Sequence, residues 1–296
     1  MKKEIEIYID GQYYPKSQAK ISVYDHGFLY GDGVFEGIRS YNGVVFKLKE
    51  HVSRLYQSAH AMMLKIPLTK EQMVEAVLET LRKNKLKDAY IRLVVTRGVG
   101  DLGLDPRKCS LATVIIIADN ITLHEGEAKT KGITTIVSWV RRDPVDGTSH
   151  EIKSLNYLNS VMAKIEANMS GADEAICLNK DGCVAEGVGE NVFVVKNGKI
   201  ITPPSAAGAL EGITAKSVFK LAKKLGYDTS ETNVTPFMLF SADEVFFTGT
   251  AAEIVPIKEV NWRTIGNGKV GPATKKLITE FQKVVRDPKE GVPIYS

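Results

Sequence analysis

The chain has 296 residues, which is long enough for two domains of ordinary size and a large core. Hydrophobic residues make up 44% and charged residues 25%, as is ordinary for a soluble globular protein. The net charge of +4 comes from 39 basic and 35 acidic residues spread along the chain, which excludes the concentrated basic stripe of a nucleic-acid-binding protein. We therefore expect no nucleic-acid partner.

The N-terminus and the cysteines indicate a cytoplasmic location. Residues 1–9 alternate between polar and apolar side chains and lack the apolar core of a signal peptide. The longest apolar run, 111–118, is too short to span a bilayer, so we expect no membrane partner. The three cysteines show no Cys-x-x-Cys spacing and the five histidines no i, i+4 pair, so we expect neither a disulfide framework nor a metal site.

The first half of the chain is predicted to form strands and two helices. Asp10-Gly11 and Asn42-Gly43 predict hairpin turns, and Thr69 is the predicted N-cap of the second helix. The predicted strands of this half are 4–9, where polar and apolar residues alternate, and 21–23, 34–41, 44–48, 89–96 and 111–118. Apolar residues at helical spacing predict helices at 49–63 and 70–84.

The second half begins after a polar stretch without periodicity at 120–132, which is the best candidate for an interdomain linker. Asn197-Gly198 predicts another hairpin turn. The predicted strands and helices of this half are strands 133–139, 174–179, 191–196 and 244–248 and helices 155–170, 214–225 and 271–285. Clusters of strands followed by helix pairs predict an α+β fold. The predicted domains are an N-terminal α/β domain at 1–120, an interdomain loop at 121–132 and a larger C-terminal domain at 133–296.

Lys153 is the first candidate for chemistry, because it follows a loop and directly precedes a predicted amphipathic helix. A lysine that forms a covalent bond with an aldehyde must lose its proton, so burial or a neighbouring cation has to lower its pKa. A solvated surface lysine is the alternative interpretation.

Glu186 begins the glycine-rich segment Glu-Gly-Val-Gly-Glu-Asn, which we interpret as a loop. A carboxylate beside a pyridine nitrogen keeps that nitrogen protonated, since the charged pair is favoured. Gly187 and Gly189 would let the backbone approach the flat face of a ring. A turn glutamate in a glycine-rich hairpin is the alternative.

A phosphate site is predicted where Gly212-Ile213-Thr214 opens a helix, because the first amides of a helix lack partners and bind anions. The small residues 248–252 could complete it and bind a substrate carboxylate. Arg54, on a predicted helix, could reach a phosphate through two N–H groups. A plain threonine N-cap and a surface arginine are the alternatives. An amine, a carboxylate and a phosphate cradle are together what pyridoxal phosphate requires.

These motifs, in this order over nearly the whole chain, resemble the fold-type IV pyridoxal-phosphate enzymes, also called class IV aminotransferases. Within that family the chain is most similar to branched-chain amino acid aminotransferases. The resemblance lies in the segments Tyr-Gly-Asp-Gly-Val-Phe-Glu-Gly-Ile-Arg, Glu-His-x-x-Arg-Leu, Lys-Ser-Leu-Asn-Tyr-Leu-Asn, Glu-Gly-x-Gly-Glu-Asn, Gly-Ile-Thr and Gly-Thr-Ala-Ala-Glu-Ile. It implies the two-domain fold of that family, with cofactor binding by the C-terminal domain, and a homodimer or larger homo-oligomer.

The resemblance also implies roles for individual residues. Lys153 would be the catalytic residue, which binds the cofactor and moves a proton between the substrate Cα and the cofactor C4′. Glu186 would pair with the ring nitrogen, and Tyr157 would bind the phenolic oxygen. The implied cofactor-binding residues are Arg54, Lys153, Tyr157, Glu186, Gly189, Glu190, Asn191, Leu210, Gly212, Ile213, Thr214, Gly249 and Thr250. The implied substrate-binding residues are Tyr30, Phe35, Gly37, Tyr90, Arg92, Thr250 and Ala251.

The activity that this resemblance implies is transfer of an amino group from leucine, isoleucine or valine to 2-oxoglutarate, which gives branched-chain 2-oxo acids and glutamate. Arg92 is the candidate for the distal carboxylate of glutamate. The alternatives are a D-amino-acid or (R)-amine transaminase on the same fold, an aminodeoxychorismate lyase, and a non-enzymatic interaction module. The D-amino-acid enzymes tend to carry serines where this chain has Val188-Gly189-Glu190. The stretch 120–132 lacks the aromatic residues that often close the pocket, so the substrate range stays open.

Overall fold

The structure is a computed structural model that describes residues 4–120 and 127–295. The chain divides into two compact units. The first contains the described residues of Met1–Ile121, Ile152–Asn156 and Val284–Ser296, and the second those of Thr122–Glu151 and Tyr157–Lys283. The chain therefore returns twice to the first unit, once with the short segment that carries Lys153. The sequence did not indicate either return, and the domains predicted at 1–120 and 133–296 stay a prediction.

The first unit is built on an antiparallel sheet. Its described strands are β1 (Glu6–Ile9), β2 (Gln12–Pro15), β3 (Gly33–Tyr41), β4 (Val44–Phe46), β5 (Ala89–Thr96), β6 (Thr113–Asp119) and β16 (Gly291–Pro293). These seven strands pair in the order β16-β4-β3-β5-β6-β1-β2. The long strand β3 lies inside the sheet, paired with β4 on one side and with β5 on the other.

Two long helices cover one face of this sheet. The helices described in the unit are α1 (His26–Tyr30), α2 (Leu48–Ala61) and α3 (Lys70–Lys83). Thr69 caps α3 as predicted, because its side chain accepts the Gln72 amide and Gln72 in turn accepts the Thr69 amide. Apolar side chains of α2 and α3 recur every three or four residues and are buried against alternate side chains of β3 and β5 in one core.

The second unit contains a larger mixed sheet. Its described strands are β7 (Ile133–Val137), β8 (Glu174–Leu178), β9 (Val184–Gly187), β10 (Asn191–Lys196), β11 (Lys199–Thr202), β12 (Asp228–Glu231), β13 (Glu244–Gly249), β14 (Glu253–Val260) and β15 (Arg263–Thr264). They pair in the order β12-β11-β10-β13-β14-β7-β8-β9, and β15 pairs with β14. The helices around the sheet are α4 (Glu127–Lys131), α5 (Leu158–Met169), α6 (Ile213–Lys224), α7 (Pro236–Phe240) and α8 (Pro272–Val284).

Sheets with helices in each unit confirm the predicted α+β class, but some predicted elements are wrong. The strand expected at 21–23 is absent, because the Asp25 amide donates to the Ser22 carbonyl and closes a turn. The strand that follows Asp10-Gly11 is β2. Within the predicted interdomain loop, residues 121–126 lie outside the described residues and Glu127–Lys131 form helix α4.

The described residues include no helix that is both long and apolar enough to cross a membrane.

Candidate active site

Strand β3 presents two different faces because side chains alternate along a strand. Phe35 and Gly37 share one face, and Gly37 lies opposite Arg92 of β5. A Cβ atom at Gly37 would overlap the hydroxyl group of Tyr90, so only glycine allows this tyrosine to lie across β3. The first unit thus brings together four of the predicted substrate-binding residues on one face of its sheet.

Lys153 lies beside the same strand, in the short segment Ile152–Asn156. Its carbonyl oxygen accepts the Phe35 amide at 3.0 Å, and its own amide donates to the Ser58 hydroxyl at 3.1 Å. The Lys153 Nζ atom lies 4.5 Å from the centroid of the Phe35 ring, and the guanidinium carbon of Arg92 lies 4.4 Å from the same centroid. The predicted amine and the predicted aromatic wall are therefore in contact. The helix that follows begins only at Leu158.

The predicted phosphate ligand Arg54 lies on α2 and is paired with a carboxylate that the sequence analysis did not consider. Its Nε donates to Glu36 Oε1 at 2.7 Å and its Nη2 to Glu36 Oε2 at 2.8 Å. His51 Nδ1 lies 2.7 Å from the same Oε2. Burial alone would raise the pKa of Glu36, but the charge and hydrogen bonds of Arg54, then those of His51, lower it from 4.5 to about 2.

In the second unit Glu186 lies on a strand, so its prediction as a loop residue is wrong. It is the third residue of β9, and all four residues of that strand are buried. The Leu210 amide donates to its Oε2 at 2.9 Å. The Nε atom of Arg142 lies 3.3 Å from Oε1, a charge contact rather than an aligned hydrogen bond. Glu186 is therefore a buried carboxylate with an N–H donor and a positive charge beside it.

Arg142 is a functional candidate that the sequence analysis missed. Its side chain is fully buried and donates to Asn159 Oδ1 at 2.9 Å, to Ser160 Oγ at 3.1 Å and to the Gly187 carbonyl. An arginine is rarely buried unless it is paired, so this side chain fixes both the carboxylate of Glu186 and the backbone after it. No local pattern marks it, since its partners come from distant parts of the sequence.

His150 and Tyr157 lie next to this pair. His150 Nδ1 is 3.6 Å from Glu186 Oε1, and its Nε2 is 3.0 Å from Asp143 Oδ2. The Tyr157 and His150 rings have centroids 6.4 Å apart. The His150 ring thus lies beside both the predicted ligand of the cofactor's phenolic oxygen and the predicted partner of its ring nitrogen.

The turn after β9 is held by its own backbone. The Gly187 amide donates to the Glu190 carbonyl at 2.6 Å, and the Gly189 amide to Glu190 Oε2 at 3.0 Å. A Cβ atom at Gly189 would have no atom of the described residues within 4 Å. The predicted ring-facing peptide is therefore open on the side where a side chain would point.

Asn191 ties this turn to the start of α6. Its Nδ2 donates to the Leu210 carbonyl at 2.8 Å, and a Cβ atom at Gly212 would overlap its Oδ1. Gly212 is the N-cap of α6, and no side chain among the described residues caps the helix. Thr214 lies in the first turn and is buried, so its interpretation as a plain N-cap is wrong. The uncapped end of α6 is the kind of site that binds a phosphate.

A further polar atom fits an anion in the second unit. Thr248 lies opposite Asn191, where the pairing of β13 with β10 ends. Its buried Oγ1 has no hydrogen-bond partner within residues 4–120 and 127–295. A buried hydroxyl without a partner carries a desolvation cost, which a bound acceptor would remove. Of the predicted ligands that follow, Gly249 ends β13, and Thr250 and Ala251 lie in the turn to β14. These residues fit a phosphorylated cofactor.

Glu190 carries a pH-dependent prediction. Burial, and then the charge of Glu174, raise its pKa from 4.5 to about 7. A carboxyl group with a raised pKa in the folded state costs stability once it ionises, so folding weakens as the pH rises from about 4.5 through 7. We expect Glu190→Gln to unfold at the same temperature as the wild type near pH 4.5. Above pH 7 the variant should unfold at a higher temperature than the wild type. A difference that does not change with pH would contradict this.

Comparison with known proteins identifies the class to which this site belongs. Residues 33–260 match the family model described as amino-transferase class IV. The chain therefore belongs to the class IV aminotransferases, as its motifs predicted.

Individual relatives extend over almost the entire chain. A Methanocaldococcus jannaschii protein named "Putative branched-chain-amino-acid aminotransferase" is 55% identical over 98% of this chain and 99% of its own. The branched-chain-amino-acid aminotransferase of Escherichia coli K12 is 38% identical over 95% of this chain and 93% of its own. The solved structure of the branched-chain aminotransferase from the thermophilic archaeon Thermoproteus uzoniensis with norvaline aligns with a TM-score of 0.92 at 38% identity, over 98% of this chain and 99% of that one. These matches confirm the predicted fold-type IV architecture.

Proposed function

We propose that this chain is a branched-chain amino acid aminotransferase that uses pyridoxal 5′-phosphate. It transfers the amino group of leucine, isoleucine or valine to 2-oxoglutarate. The observation that carries this is the 55% identity to a relative of that name across nearly the full length of both chains. Solved neighbours named as branched-chain aminotransferases contain pyridoxamine 5′-phosphate or N-(5′-phosphopyridoxyl)-L-glutamate, which supports the cofactor.

The bound cofactor supplies an electron-poor ring that stabilises negative charge at the substrate Cα. We assign Lys153 to the covalent attachment of the cofactor and to the proton transfer at Cα. Hydrogen bonds from its backbone to Phe35 and Ser58 fix the segment, so only its side chain has to move. A general base acts best when its position is held by the scaffold, which is the case here.

Glu186 holds the proton on the ring nitrogen in this proposal. The Leu210 amide donates to this carboxylate, and the positive charge of the buried Arg142 lies beside it. Tyr157 binds the phenolic oxygen, and Leu210, Gly189, Glu190 and Asn191 surround the ring.

The phosphate is assigned to donors of three kinds. Arg54 supplies a charge, and the amides of Gly212, Ile213 and Thr214 supply the uncapped helix end of α6. Gly249 at the end of β13 and Thr250 in the turn after it supply further amides. Each of these is an N–H group that donates to an anion without a proton transfer.

The substrate side chain is assigned to the face of the first unit's sheet that carries Phe35, Gly37 and Tyr90, together with Tyr30. Aromatic rings beside a glycine offer an apolar surface that suits leucine, isoleucine and valine. Arg92, which stacks on Phe35, offers a charge for the distal carboxylate of glutamate or 2-oxoglutarate. Thr250 and Ala251 bind the α-carboxylate.

The protein is proposed to be a cytoplasmic homodimer or larger homo-oligomer. An apolar stripe on α5 supports assembly, since large exposed apolar patches usually mark interaction surfaces. The stripe consists of Leu158, Val161, Met162, Ile165 and Met169, which recur on one side of the helix and are 45–84% exposed. Light scattering during gel filtration measures the number of subunits.

Coupled assays with several amino donors test the proposed function. We expect rapid glutamate formation from 2-oxoglutarate with L-leucine, L-isoleucine and L-valine, and little with D-alanine or an (R)-amine. Turnover of D-alanine without turnover of L-leucine would favour the D-amino-acid enzyme, and release of pyruvate from aminodeoxychorismate would favour the lyase. A colourless protein that does not respond to added cofactor would favour the interaction module.

A further inference from the structure

We propose that Glu36 is a positioning residue for cofactor binding, which acts by holding the guanidinium group of Arg54 in one orientation. The proposal rests on the function proposed above, in which Arg54 binds the phosphate. Glu36 lies on the face of β3 opposite Phe35 and Gly37, so it is directed at α2 rather than at the substrate face. It acts only through Arg54.

The carboxylate of Glu36 contacts two side chains of α2, those of Arg54 and His51. Its Oε1 accepts Arg54 Nε at 2.7 Å, and its Oε2 accepts Arg54 Nη2 at 2.8 Å. Burial lowers the pKa of His51, and its Nδ1 must carry a proton because the ionised carboxylate of Glu36 can only accept. Glu36 is 0% and His51 1% exposed, so both partners are fixed by the core around them.

The two hydrogen bonds from Arg54 to Glu36 form a fork that fixes the orientation of the guanidinium group. Two parallel N–H···O bonds hold it by its Nε–Nη2 edge. An arginine side chain has more rotamer freedom than almost any other, and that freedom must be lost when it binds a ligand. A carboxylate that already holds it in place reduces this cost and so increases affinity.

The same helix also anchors the catalytic segment. Ser58 lies four residues after Arg54 on α2, and its hydroxyl accepts the Lys153 amide at 3.1 Å. Residues four apart lie on the same side of a helix. A helix that is fixed to β3 through Glu36 and His51 therefore sets the position of both the proposed phosphate ligand and the backbone of the proposed catalytic lysine.

Glu36→Gln tests the proposal, because it keeps the shape but replaces one acceptor with an N–H₂ group that cannot accept from Arg54. Binding to cofactor-free protein is measured for two probes, pyridoxal 5′-phosphate and pyridoxal, which lacks the phosphate. We expect the dissociation constant of pyridoxal 5′-phosphate to rise roughly tenfold or more, and that of pyridoxal to stay within about twofold. In an Arg54→Lys background the further substitution Glu36→Gln should add little, since the two act together.

Asp32→Asn is the matched control. Asp32 makes the same kind of fork in the same unit, with Arg97 Nε at 2.8 Å and Arg97 Nη2 at 3.0 Å. We expect it to lower the unfolding temperature without a selective loss for the phosphorylated probe. If Glu36→Gln does not fold, Glu36→Asp keeps the charge, shortens the reach and should show the same selectivity for the phosphate.

Equal losses for both probes, or no loss for either, would overturn the positioning role. A wild-type protein that binds neither probe would instead overturn the proposed function, so the two failures are distinguishable.

Discussion

Lys153→Ala abolishes transamination, with kcat for L-leucine expected to fall by roughly 10⁴-fold or more. The substitution removes both the covalent attachment and the proton transfer at Cα, and each step depends on this amine. The fold should survive, since the contacts that hold the segment come from the backbone of Lys153, which alanine retains. The measurement is steady-state glutamate formation together with the visible absorbance of the purified protein.

The control for Lys153→Ala is an exposed lysine in the second unit, Lys180. Lys180→Ala should leave kcat and absorbance unchanged. Addition of a small primary amine such as methylamine should partly restore the proton transfer in Lys153→Ala but not in an unfolded protein. A Lys153→Ala variant that keeps a tenth of the wild-type kcat would mean that another group performs the chemistry.

Glu186→Gln is expected to lower kcat by roughly 10²- to 10³-fold, the scale of losing one electrostatic partner in an active site. An amide carries no charge, so it cannot hold a proton on the ring nitrogen as the ionised carboxylate does. Glu186→Asp keeps the charge and should lose less. Cofactor content and the absorbance spectrum show whether the loss arises after binding.

Glu244→Gln is the matched control for Glu186→Gln. Glu244 is another buried carboxylate of the second unit, and it accepts the Ala273 amide at 3.0 Å, the Thr274 amide at 2.8 Å and the Thr274 hydroxyl at 2.6 Å. Its replacement should lower the unfolding temperature and leave kcat per folded protein unchanged. Similar kcat losses in both variants would mean that Glu186 serves stability rather than catalysis.

The parts of the fold that the sequence predicted well are those set by local chemistry. Asn42-Gly43 and Asn197-Gly198 have positive φ angles at both residues, as their turns require, and each joins two strands. The helix at α3 begins where Thr69 and Gln72 cap each other. Strand β5 has the predicted bounds, and buried and half-buried residues alternate along it as far as Val95.

The parts that the sequence did not predict depend on contacts between distant residues. Lys153 donates to Ser58, 95 residues away, and no local pattern marks that pairing. Glu186 was read as a loop residue because glycines follow it, whereas pairing with β8 makes it part of β9. Arg142 and Glu36 look like ordinary charged residues in the sequence. Their roles appear only when burial and their partners are known.

The most direct measurement is the site of covalent attachment. The holoenzyme is reduced with borohydride and digested, and the modified peptide is identified by mass spectrometry. We expect a phosphopyridoxyl group on the peptide that contains Lys153. A group on a different lysine, or no modified peptide from a protein that turns over L-leucine, would contradict it.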